Sequence, residues 1–91
     1  MKKAQMIETV KAGIEKNAYK ALVFEQLNYI DSDGMYEYES TIAYGKAFAY
    51  EEMYRELTGT SADEIIETSQ AQALDDIKGA DYDIDKLKAL I

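Results

Sequence analysis

The chain contains no cysteine, no histidine, no proline and no tryptophan. Without cysteine and histidine there are no disulfides, no thiolate nucleophile, no thiolate or imidazole zinc site and no imidazole general base, which removes most common enzyme mechanisms. Without proline no helix carries a forced kink. Long apolar runs are also missing. The start, Met1-Lys2-Lys3-Ala4-Gln5, leads into alternating charged and apolar residues, so neither a signal peptide nor a membrane span is expected. A cytoplasmic protein with no membrane partner is the expectation.

What is present is length for one domain, charge and tyrosine. Ninety-one residues, expected to form a single helical domain over 1–91, bury only roughly 60–65% of the surface the unfolded chain exposes; the 47% hydrophobic content is nevertheless enough for a modest autonomous core. The net charge of -8 is uneven. Residues 1–20 sum to +3, 21–40 to -5 with no base, 41–60 to -1 and 61–91 to -5. An acidic body of this kind repels phosphate backbones, so direct nucleic-acid binding is not expected, whereas basic protein surfaces attract it.

Periodicity predicts an all-α fold. From Met6 to Phe24 the residues Met6, Ile7, Val10, Ile14, Ala18, Ala21 and Phe24 recur at threes and fours and mark a first helix, with a break possible near 16–18 where Gly13 and Asn17 weaken it. Asp31-Ser32-Asp33-Gly34 is a turn signal, because Asp and Ser bond their own backbone and Gly accepts positive φ. Its flanks make an antiparallel helical hairpin; the alternative is an α+β fold with a small β-hairpin at 27–38. Ser40 is suited to cap a second helix over 41–57 with Ile42, Ala49, Met53 and Leu57 inward on a face that Ala43, Tyr50 and Tyr54 widen, ended by Gly59. Ser61 and Glu64 have the spacing of a capping box for a third helix carrying Ile65, Ile66, Ser69, Ala73, Leu74 and Ile77 inward and stopped at Gly79. Asp83 caps a short C-terminal helix with Ile84, Leu87, Leu90 and Ile91 on one side.

Six of the eight tyrosines fall between Tyr29 and Tyr54. Tyr50 and Tyr54 flank the inward face of the second helix, and Tyr29 is read as their neighbour across the hairpin. Tyr36 and Tyr38 stand among Asp31, Asp33, Glu37 and Glu39. With the inward face above, Tyr44 and Phe48 lie together on the opposite side of the second helix beside Glu51 and Arg55, which puts two rings in water and favours a contact with a partner or a second copy; the alternative is burial beneath the first helix or the tail.

Carboxylates that could do chemistry read more simply as structure. Placing Gly34 at the sixth position of a calcium loop puts Tyr29 at the first ligand position and Ser40 at the twelfth, where a bidentate Glu is required, so a plain turn is expected. Asp75, Asp76, Asp81, Asp83 and Asp85 are read as caps and dipole partners, with no pocket to make them a catalytic pair. Lys2, Lys3, Lys11, Lys16 and Lys20 scatter around the back of the first helix as a solvated face. No metal, cofactor or catalytic residue is expected.

The run Thr41-Ile42-Ala43-Tyr44-Gly45-Lys46-Ala47-Phe48-Ala49-Tyr50-Glu51-Glu52-Met53, preceded by an acidic turn and a helix, resembles in style the helical hairpins of small acidic accessory proteins of phages of Gram-positive bacteria. The resemblance covers about residues 20–58 and carries no diagnostic motif. Proteins of that kind include anti-CRISPR and other anti-defence inhibitors, which occupy basic nucleic-acid channels or block conformational changes, so the resemblance implies an inhibitor acting in a host cytosol. The expectation is a non-enzymatic protein-binding module that docks Asp31, Asp33, Tyr36, Glu37, Tyr38, Glu39, Tyr44 and Phe48 on a basic protein surface. The alternative is a homo-oligomeric structural or scaffold protein, dimerising through Tyr44 and Phe48.

Overall fold

A computed structural model describes residues 2–31 and 34–91. It contains α1 (Lys3–Ile30), α2 (Glu37–Thr58), α3 (Asp63–Gly79) and the single-turn α4 (Ile84–Lys88), with no strand among the described residues, so the fold is all-α. At a rise of about 1.5 Å per residue α1 is about 42 Å long. The longest dimension of the molecule is likewise 42 Å. Helix α1 is therefore the spine, and α2, α3 and α4 each pack on it.

Helix α1 runs unbroken through positions 16–18 and on to Ile30, where the Asp31 N–H donates to the Leu27 carbonyl. The β-hairpin alternative at 27–38 is thereby overturned: 27–30 belong to α1, and 37–38 to α2. Asn17 does not break the helix because its side chain is buried and its Nδ2 donates back to the Gly13 carbonyl at 2.8 Å. Gly13 itself serves packing. A Cβ built there would lie 2.7 Å from Cε2 of Tyr50, so the missing side chain is the notch that the Tyr50 ring fills.

The inward face of α2 differs from the expected one. Ser40, Ala43, Ala47, Tyr50, Tyr54 and Leu57 face α1, spaced alternately by three and four as in a coiled-coil seam. Ile42 is half-buried, Ala49 is exposed and Met53 is 46% exposed, whereas Leu57 and the three residues expected to widen the face, Ala43, Tyr50 and Tyr54, are on the packed side. The seam is built from small residues, with Ala18 and Ala21 buried on α1 and Ala43 and Ala47 on α2. Ser40 Oγ reaches the Ala21 carbonyl at 3.1 Å, a span open to so short a side chain only where the two backbones run close. Ser40 is consequently not the cap of α2, which begins three residues earlier.

Two apolar clusters close the ends of the spine. At one end Val10, Ile14 and Ala62 are buried beneath Tyr50, Tyr54, Leu57, Ile65 and Ile66. At the other, Val23, Leu27, Ile77, Ala80 and Leu87 are buried among Tyr19, Leu22, Phe24, Ile30, Tyr36, Ile84 and Leu90. Gly59 ends α2 in the left-handed conformation, φ 71°, as its position predicts, and its N–H donates to the Arg55 carbonyl. The expected capping box at Ser61 does not form, and the start of α3 lies one residue later. Ala62, fully buried, takes the N-cap position, while Ser61 Oγ accepts the Asp63 N–H at 3.2 Å. Within α3 the expected inward positions are packed except Leu74, which is 59% exposed. The chain leaves α3 through Asp81 and Tyr82, both left-handed at φ 56° and 55°, and Asp83 then caps α4 by accepting the Lys86 N–H.

Candidate functional site

The hairpin end where α1 stops and α2 starts gathers the exposed tyrosine and acid chemistry. On α1, Val23, Leu27 and Ile30 turn toward the core, and at 100° per residue this sends Tyr29 to the opposite side. Tyr29 is 87% exposed, the most exposed of the large apolar side chains among the described residues. Across the turn Met35 is 66% and Tyr38 72% exposed. Glu37 and Glu39 are exposed in the first turn of α2, where their charge also favours the positive end of the helix dipole. Asp31 is half-buried at the end of α1. Two rings and a thioether thus stand in water beside carboxylates at one tip.

The predicted site residues divide. Asp31, Glu37, Tyr38 and Glu39 lie at the tip; Asp33 lies outside the described residues. Tyr36 is half-buried and stacks on Phe24, ring centroids 6.2 Å apart at 25°, so its ring is committed to the core. Tyr44 is also turned inward. Its hydroxyl donates to Glu25 Oε2 of α1 at 2.7 Å, and burial, followed by that hydrogen bond and the carboxylate charge, pushes its pKa up to about 12. The expectation of Tyr44 and Phe48 side by side in water is therefore corrected: Phe48 alone is exposed, at 61%. The reason is the shifted face of α2, which brings Tyr44 to the edge of the α1 contact. Phe48 lies ten residues beyond Tyr38, about 15 Å along the helix, and does not join the tip.

Met35 was not among the expected site residues, and Tyr29, expected as a neighbour of the second helix across the hairpin, stands in water instead. The signal for Tyr29 was the Leu27–Ile30 spacing, which fixes it outward once the segment is helical.

Two of the carboxylates considered for chemistry, Asp76 and Asp83, have structural work. Asp76 accepts the Tyr19 hydroxyl at 2.6 Å and Gln72 Nε2 at 3.0 Å, and burial with the Asp76 contact raises the Tyr19 pKa to about 12. Asp83 caps α4. Among the described residues no group of three or more acidic side chains is arranged to hold a metal ion, and no helix is long and apolar enough to cross a membrane. No family model, no curated protein and no solved structure matches the chain.

Proposed function

We propose that this chain is a non-enzymatic protein-binding module whose hairpin tip docks on a basic protein surface, of the kind that otherwise holds nucleic acid. The observation that carries the reading is the exposure of Tyr29, Met35 and Tyr38 next to Asp31, Glu37 and Glu39 at one end of the molecule. Rings in the middle of an interface supply most of the binding energy, up to about 2 kcal/mol or more each, while surrounding acids steer the encounter. The ordering cost is reduced because Tyr36 on Phe24 and Ser40 on Ala21 fix the start of α2 against α1. The resemblance to small acidic phage proteins makes an anti-defence, anti-CRISPR-like inhibitor in a host cytosol the specific form of this proposal.

The experiment is a pull-down from host lysate at low salt, with the wild type and a Tyr29→Ala, Tyr38→Ala variant side by side. Retention of a basic nucleic-acid-binding protein by the wild type and its loss from the variant supports the reading. Equal retention by both removes the tip from it.

A second reading, self-association, draws on Phe48, exposed beside Gly45 and Ala49, whose small side chains admit another helix closely. Sedimentation of wild type and Phe48→Ala at tens of micromolar decides it, since a wild-type monomer excludes a scaffold role at that concentration.

A further inference from the structure

On one flank of the α1–α2 seam a cleft of about 600 Å³ is open to solvent. Lys16 and Lys20 border it from successive turns of α1 and Lys46 borders it from α2, with Asn17, Tyr50 and Met53 also lining it. No carboxylate lines it, although the chain carries 18 acidic residues. Among the described residues the salt bridge that forms is Arg55–Glu51, so these three ammonium groups have no described carboxylate within 4.0 Å. Like charges one helical turn apart repel, and a third cation facing them adds to the repulsion. Asn17 is nine-tenths buried, and one of the two protons on its Nδ2 is taken by the Gly13 carbonyl.

We propose that this cleft is an anion site that takes a small phosphorylated organic molecule. Three cations around one compact volume match a group that concentrates two or more negative charges, which a phosphate or diphosphate does and separate peptide carboxylates do not. The volume is in the range of small-molecule sites, and Tyr50 and Met53 give an organic body an apolar wall. The net charge of -8 repels an acidic macromolecule over its whole approach, whereas a small anion inside the cleft lies within a Debye length of about 8 Å of the lysines and is screened from the more distant acids. Lys16 and Lys20 also border the α1–α3 groove, but Glu15 stands there, which assigns the anion to the α1–α2 side. The site is independent of the hairpin tip.

The test is titration of the isotope-labelled chain with pyrophosphate and with a nucleoside triphosphate, at ionic strength held constant with sodium chloride, read by amide chemical shifts and by the thermal midpoint. Saturable shifts centred on Gly13, Asn17, Lys46 and Ala49, with a rise in midpoint, are expected. Lys46→Ala should weaken binding about tenfold, the loss of one charge-assisted contact, and Lys16→Ala with Lys20→Ala should abolish it. Both variants should remain folded and be no less stable than wild type in chloride alone, because they relieve repulsion. Shifts that sodium chloride reproduces, or that spread equally to Lys78, Lys86 and Lys88, would mean general charge screening and overturn the site. Equal binding by the Lys16→Ala, Lys20→Ala variant would also overturn it, and a short polyglutamate peptide binding as tightly as pyrophosphate would overturn its assignment to a phosphorylated small molecule.

Discussion

Replacing Gly13 by alanine sets two effects of opposite sign against each other. Glycine inside a helix is unfavourable by about 0.5–1 kcal/mol relative to alanine, so on propensity alone Gly13→Ala stabilises. The new Cβ, however, would lie 2.7 Å from Tyr50 Cε2 and 2.8 Å from Cδ2 and Cζ, closer than carbon atoms approach one another. Tyr50 is packed on the cluster of Val10, Ile14 and Ala62, so swinging its ring toward the open cleft to clear the new Cβ gives up that packing. Overpacking of this kind costs about 1–3 kcal/mol. The balance is a net loss of about 1 kcal/mol, which for a domain of this size lowers the thermal midpoint by about 4–8 °C. Gly45→Ala is the internal control: it lies within α2 with nothing within 4 Å of the added Cβ, so the propensity gain of about 0.5–1 kcal/mol stands alone. In a Tyr50→Ala background the sign should invert, and Gly13→Ala should stabilise as Gly45→Ala does. Urea denaturation with a constant m-value reads all four variants. If Gly13→Ala stabilises the wild type as much as Gly45→Ala, the notch-and-ring account of the seam is wrong.

Alkaline titration followed by phenolate absorbance should show Tyr19 and Tyr44 ionising near 12; because their folded pKa is above the unfolded value of 10, their contribution to stability is complete below pH 10 and is lost as pH rises from 10 through 12, and Tyr44→Phe should remove one late-titrating group. Leu87→Ala, at a fully buried side chain that ties α4 to the spine, should cost about 2–4 kcal/mol by chemical denaturation, whereas Phe48→Ala, 61% exposed, should change stability by less than about 0.5 kcal/mol. Tyr82→Gly should raise the denaturation midpoint by the equivalent of about 0.5–1 kcal/mol, since a bulky residue held at φ 55° is strained and its ring is 53% exposed; a lower midpoint would show that the ring holds the α3–α4 turn.

The helical architecture was legible where glycine and apolar spacing carry the signal. Gly59 ended α2, Asp83 capped α4, and the stripe from Val10 to Ala21 did mark a face of α1. On the inward face of α2, Ala43, Tyr50, Tyr54 and Leu57 were legible from spacing, but Ser40 and Ala47 were not, because Ile42 and Met53 outweigh them on any transfer scale. Closely approaching helices select for small size instead, so the 3-4-3 spacing of Ser40, Ala43, Ala47 and Tyr50 was the better guide. That shift moved Tyr44 from water to Glu25 and left Phe48 alone. Similarly, Ser61 and Glu64 have the spacing of a capping box, but burying Ala62 beside Val10 and Ile14 sets where α3 begins. At the tip, Glu37, Tyr38 and Glu39 were identifiable from sequence. Tyr36 was not separable from them without its partner Phe24, which is twelve residues away in the chain and adjacent only after the hairpin closes.

The central claim, that the hairpin tip binds a basic protein surface with acids steering and tyrosines anchoring, is tested most directly by stopped-flow association with the captured partner across a range of ionic strengths. Wild type should associate more slowly as salt rises; a Glu37→Gln, Glu39→Gln variant should associate more slowly at low salt and depend less on salt, and Tyr29→Ala with Tyr38→Ala should raise the dissociation rate while leaving association nearly unchanged. An association rate indifferent to both salt and the glutamate substitutions would contradict it.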